Sequence, residues 1–220
     1  MVFQIVNIQK GKDMTSIIAT MGQGGEGRYP DVSVGVHKAR CVKVIDLGTQ
    51  KNDYQGDITW KRQCMLIWEV PSETNGNGEP LTISKFYTIS LHEKSNLGND
   101  LTAWRGRAFT ELEKQGFDIS KLAGVPCMMN VVEGKNGRPR ISTLMPLPKG
   151  DDMAEQYNST VIFSVDDYQK GDRDAFNALP DGIRAIILRS QELADSQDMG
   201  DDHNGGDVPY PDVSDDDVPF

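Results

Sequence analysis

Between positions 38 and 140, basic and aromatic side chains interleave. Lys38, Arg40 and Lys43 come first, then Lys51 and Tyr54, then Trp60, Lys61 and Arg62. Lys85, Phe86 and Tyr87 follow, and Lys135, Arg138 and Arg140 close the set. These residue types have a definite joint chemistry. Cations track phosphates, and rings stack on unpaired bases at about 1–3 kcal/mol per base, whatever the base sequence. As a group they describe a surface that grips an unpaired polynucleotide without reading it. RNA meets the same two demands unless a contact is dedicated to the 2′-OH.

Other chemistry is poorly represented. The chain has no His-Glu-x-x-His or Gly-x-Ser-x-Gly pattern, and no acidic pair on a strand beside a base. Asp151-Asp152 and Asp166-Asp167 could be imagined as Mg²⁺ ligands, but acidic pairs beside loop segments read first as solvated surface. Cys41, Cys64 and Cys127 lie far apart in apolar runs, and His37, His92 and His203 are isolated. The cysteines therefore read as buried thiols in a reducing compartment, with neither a metal nor a disulfide expected. Met21–Pro30 is rich in glycine, yet no Gly-Lys-Ser/Thr follows to cradle a phosphate, and the stretch reads as a linker. The expectation is a binding protein without enzymatic activity and without cofactors.

The elements that position these residues follow from periodicity. Ser33–Thr49 is rich in β-branched residues and reads as a first strand, and Gln50–Thr59 as a polar loop. Trp60–Val70 is a second strand, with Trp60, Cys64, Leu66, Trp68 and Val70 on one face and Lys61, Gln63, Met65, Ile67 and Glu69 on the other. Trp68 then belongs to the core rather than to a stacking platform. Leu81–Leu91 is a third strand, on which Phe86 and Tyr87 point to opposite faces, so that one of them is buried.

The period then changes to 3.6. Leu101, Trp104, Ala108 and Leu112 share a face of a helix that Asn99 or Asp100 would cap and Gly116 would end. Val125–Glu133 and Arg138–Pro148 are two further strands joined by a tight turn at Gly134–Gly137. Three strands, a helix and two strands match the order of an OB-fold, a five-stranded barrel that binds oligonucleotides or oligosaccharides on strands 2 and 3 and on the 1–2 and 4–5 loops. Each of these cations, and each ring outside the core, would fall on that surface.

Charge divides the chain of 220 residues in the same places. Residues 1–150 carry 19 Lys and Arg against 15 Asp and Glu, a net +4. Residues 151–194 carry 4 against 9, a net −5, and residues 195–220 carry none against 9, a net −9. The acidic total of −10 therefore does not argue against a polyanionic ligand for the first part. Four parts are expected: an N-terminal extension (1–32), an OB-fold domain (33–150), an extension packing on the barrel (151–194), and a disordered acidic tail (195–220). In the third part, Ile183, Ile186, Ile187 and Leu193 give a short helix behind Pro180 an apolar stripe. No apolar run approaches the ~18 residues of a membrane span, and residues 1–13 lack a signal-peptide core, so a soluble intracellular protein is expected.

The tail carries a specific signal. Asp207-Val208-Pro209-Tyr210 is echoed ten residues later by Asp217-Val218-Pro219-Phe220, behind Asp215 and Asp216. A tail retained only for solubility has no use for an exposed apolar ring. This stretch resembles the acidic tip of bacterial single-stranded DNA-binding proteins, which ends in Asp-Asp-Asp-Ile-Pro-Phe. Only Val218 departs from it. The resemblance implies that Asp215, Asp216, Asp217, Val218, Pro219 and Phe220 dock on partner proteins, the Pro-Phe end in an apolar pocket and the carboxylates on basic residues around it.

Val44–Gly56, Leu66–Pro71, Tyr87–Arg107 and Lys121–Glu133 are in turn similar to bacteriophage-encoded single-stranded DNA-binding proteins. What this implies is a replication and recombination protein in the cytoplasm of a bacterial host. Its partners would be single-stranded DNA and host or phage replication and repair proteins, with a homo-oligomer possible. Two readings from other classes stand beside it: a DNA-processing enzyme (nuclease or annealing recombinase), and a protein-binding adaptor, each carrying the same tip.

Overall fold

A computed structural model describes residues 31–54 and 56–194. The glycine-rich stretch, most of the expected N-terminal extension, and the acidic tail with Asp215–Phe220 lie outside the described residues. The chain is mainly β with several short helices.

The β-branched run forms one long strand, β1 (Gly35–Tyr54). It continues five residues past its expected end because β2 (Asp57–Thr74) pairs with it antiparallel from Arg40↔Glu69 to Tyr54↔Asp57. The polar segment Gln50–Thr59, expected as a loop, is thus mostly a two-stranded ribbon. β3 (Pro80–Thr88) pairs with β2, β4 (Pro126–Glu133) pairs with the first half of β1, and β5 (Pro139–Met145) pairs with β4. The Gly134–Gly137 turn falls where the sequence places it, with Gly137 in the left-handed region at φ 73°.

The resulting strand path is β3-β2-β1-β4-β5. It is an open sheet, which corrects the expected five-stranded barrel: no ladder joins β3 to β5 among the described residues. A helix and a salt bridge stand at that seam. Helix α1 (Asn96–Arg105) packs on both β3 and β5, and Lys85 of β3 bridges from Asp100 of α1 (2.8 Å) to the Ile141 carbonyl of β5 (3.4 Å).

The expected long helix is in fact two. Ser95 caps α1, accepting from Gly98 N–H, and Gly106 ends it at φ 64°. Thr110 and Glu113 form a reciprocal capping box on α2 (Glu111–Gln115). Leu101 and Trp104 reach the core, whereas Leu112 is 77% exposed, because the break at Gly106 destroys the shared face. A 3₁₀ turn (Ile119–Leu122) leads into β4.

Both faces of the β1–β2 sheet are covered. Inside, Cys64, Leu66, Trp68 and Val70 pack with Ile83, Tyr87, Leu97, Leu101 and Trp104. Outside, residues 151–194 lie on the sheet. Val161–Phe163 form β6, parallel to β1 at Lys43–Ile45, and four short helices follow: α3 (Val165–Gln169), α4 (Asp174–Asn177), α5 (Asp181–Leu188) and α6 (Gln191–Ala194). Phe163, Val165, Phe176, Leu179, Ile187 and Leu193 close over Ile45, Leu47 and Met65 to make a second core. Each fully buried side chain of this size contributes about 1.5–3 kcal/mol, so the extension is an integral layer of the fold. Among the described residues no helix is long and apolar enough to cross a membrane.

Candidate nucleic-acid interface

The interface begins on the β1–β2 ribbon. Lys51 stands opposite Trp60 and Asp53 opposite Ile58, so these four share one face, while the Gln50↔Lys61 pair belongs to the other; the backbone of Tyr54 pairs with Asp57 at the end of the ribbon. Trp60 is 50% exposed and Ile58 is exposed beside it. A large indole with half its surface in water is available to stack on a ligand. Neither Lys51 nor Lys61 makes an ion pair among the described residues, so both cations are open to an anion. Sequence reading did not select Ile58, although its period-two relation to Trp60 was visible.

A second basic group lies at the other end of β1. Lys135, Arg138 and Arg140 are exposed around the β4–β5 turn, beyond the Gly35↔Val131 pair. Arg138 has no ion pair among the described residues.

Other predicted site residues are committed within the fold. Tyr87 is 2% exposed and donates to Asp100 (2.7 Å), with its hydroxyl pushed well up by burial and by that carboxylate. Lys85 points to the same interior, because Lys85↔Leu66 and Tyr87↔Cys64 place both on the core face of β3. Phe86, on the outer face, packs against the second core. These three correct the expectation of a ligand surface on strand 3: its inner face is core, and Phe86 on its outer face packs against the extension.

The cations of early β1 are also engaged. Lys38 pairs with Asp151 (3.0 Å) and Arg40 approaches the fully buried Glu69 (3.9 Å). Glu69 accepts further bonds from the backbone N–H groups of Tyr157 and Asn158. Lys43 is half-buried between β2 and β6.

Arg62 holds the junction. Its guanidinium donates to buried Asp46 (2.6 Å) and to Asp166 of α3 (3.2 Å), and Asp46 also accepts from Val165 N–H (3.2 Å). The Asp46 hydrogen bond outweighs burial, which acts the other way, and raises the Arg62 pKa. Arg62 thus ties the extension to the ribbon root, and its side chain stays 40% exposed.

An open cleft of about 330 Å³ adjoins this junction. Its apolar lining includes Ile89 after β3, Phe117 and Ile119 before β4, and Ile162 of β6, with the Asp46–Arg62 pair also lining it.

The acidic pairs do not converge. Asp151 faces Lys38 and Asp166 faces Arg62, and among the described residues no group of three or more His, Cys, Asp or Glu could hold a metal ion. No protein-family model matches this chain, and no curated protein matches it.

Proposed function

We propose that this protein binds single-stranded DNA without sequence preference and recruits replication or repair proteins through residues 215–220. The observation that carries the reading is the ribbon: half-exposed Trp60 directly across from Lys51, which makes no ion pair among the described residues, with Lys61 on the opposite face. A ring and free cations on a thin projection suit a flexible strand with splayed bases better than a stiff duplex, whose bases are already stacked. The strand order, the helix between β3 and β4, and the basic β4–β5 turn support an OB-fold of the partly open kind. Contact then runs along the two ends of β1, since the extension occupies the sheet face between them.

The test is a gel shift with oligo-dT and with duplex over a salt series. Preference for oligo-dT with an affinity that falls steeply with salt supports the reading, and equal or absent binding overturns it. Removing residues 195–220, a net −9 segment, is expected to tighten binding most at low salt, where repulsion by the tail is least screened.

One observation favours a protein-binding adaptor instead. Strands 2 and 3, where an OB-fold takes its ligand, are packed on their outer face by residues of the 151–194 extension, whose net charge is −5. Failure to bind any oligonucleotide at low salt would select that reading.

A further inference from the structure

We infer that the cleft at the root of the β1–β2 ribbon seats one nucleobase of the bound strand. The inference rests on the single-strand reading above, qualifies it with a modest preference for cytosine at one position, and adds a subsite that none of the predicted contact residues except Arg62 touches.

Size and lining set the ligand class. A volume of about 330 Å³ is at the lower end of small-ligand clefts, which span about 300–1,000 Å³. It suits a single base with its sugar. The walls are apolar, from Ile89, Ile119 and Ile162, and Phe117 adds a ring for the base to contact. Phe117 is itself steadied edge-on by Phe109 (5.3 Å between centroids) and by the Arg105 guanidinium (5.2 Å). A platform already fixed in place loses little freedom when a base arrives.

The polar groups suit a base edge rather than a phosphate. Asp118, Ser120 and Ser164 line the cleft. Asp118 Oδ1 accepts from Ser120 Oγ (2.6 Å) and Ser120 N–H (3.0 Å), and these bonds hold its carboxyl below the ordinary range, so it is ionised at neutral pH. Its other oxygen takes no hydrogen bond among the described residues. A fixed carboxylate acceptor repels a phosphate and receives an amino N–H, such as N4 of cytosine. Arg62 lines the cleft as well, its guanidinium held by Asp46 and Asp166. Trp60 lies two residues before Arg62 on the same face of β2, about 6.6 Å along the strand. A base stacked on Trp60 and one in the cleft are thus served by one continuous surface.

The experiment uses the full chain and a twelve-residue oligo-dC carrying 5-iodocytosine, cross-linked by light and mapped by peptide mass. Adducts on both Phe117 and Trp60 are expected. Ile162→Trp, at a rim position already 46% exposed, fills the cleft without emptying a core. It should weaken oligo-dC binding about tenfold, the worth of one stacked base, and remove the Phe117 adduct while the Trp60 adduct stays. Asp118→Asn adds no bulk and should lower the oligo-dC to oligo-dT affinity ratio about tenfold, the low end for one charged hydrogen bond.

Adducts confined to Trp60, with both variants binding as the parent does, overturn the cleft and leave the single-strand reading standing. Absence of any oligonucleotide binding by the parent protein overturns both.

Discussion

Lys51 and Trp60 face each other across the β1–β2 ribbon, one residue per strand, and both are exposed. Trp60→Ala should therefore cost about 1–3 kcal/mol of single-strand affinity with little loss of stability, since half the ring is already in water. Lys51→Ala should lower the slope of log affinity against log salt by about 0.7, the share of one phosphate contact on a single strand. Salt titrations of both variants, with melting temperatures alongside, separate the two roles. A Trp60→Ala protein that melts far below the parent, or binds as tightly, removes the ribbon from the interface.

Lys85 serves the fold. Its ion pair with Asp100 spans the seam between β3 and β5 under α1. Asp100→Ala should destabilise by up to about 3 kcal/mol, the low end for breaking a buried pair, because the Lys85 side chain keeps 25% exposure. Tyr87→Phe, which loses a bond to the same carboxylate, should cost about 1.5 kcal/mol. Urea unfolding measures both. No change in the Asp100→Ala midpoint would show that the seam holds without this pair.

Gly48 fixes the extension to β1. Its φ of +72° is left-handed, and an added Cβ would stand 2.5 Å from Ser190 Cβ and 2.9 Å from Glu192 Oε2. Gly48→Ala should cost more than the ~1–2 kcal/mol of left-handed strain alone and should loosen α5 and α6 first. Hydrogen exchange over residues 181–194 is the readout. Parent-like protection there would contradict the close packing at Ser190.

Glu192 makes that docking depend on pH. Burial pushes its carboxyl up, but Thr49 N–H (2.8 Å) and Thr49 Oγ (2.7 Å) outweigh it and leave the pKa below its ordinary value. A carboxyl lowered in the folded state stabilises above its unfolded pKa of about 4.3, and that contribution is lost as pH falls through the lower folded value. The melting-temperature gap between the parent and Glu192→Gln should be full at pH 6 and shrink towards pH 3. A gap independent of pH would dismiss the contact.

The cysteines give a final check. Burial pushes the thiols of Cys41 and Cys64 up to about 12, and that of Cys127 higher. At pH 8 all three should resist an aromatic disulfide reagent in the native protein and react promptly in denaturant. A fast native phase would mean that the inner core opens.

The sequence by itself determined the local elements: the order of the first five strands, the Gly134–Gly137 turn, Trp68 and Trp104 as core, and Ile183, Ile186 and Ile187 of the stripe behind Pro180, whereas Leu193 falls on α6. Each rests on periodicity or turn chemistry that a few neighbouring residues decide. Only the tertiary structure decided which faces remain open. Alternation states that Met65 and Ile67 share a face with Lys61, but not that a segment a hundred residues later lies over it. The register shifts of β1 at Cys41/Lys43 and Asp46/Gly48 further reset which side chains point inward. The same long-range pairing turned the Gln50–Thr59 loop into a ribbon and directed Lys85 and Tyr87 to Asp100. It also drew Lys38 and Arg62 into ion pairs with the acidic extension. A cation's availability depends on which carboxylate the fold brings beside it, and that is not a property of its own stretch of chain.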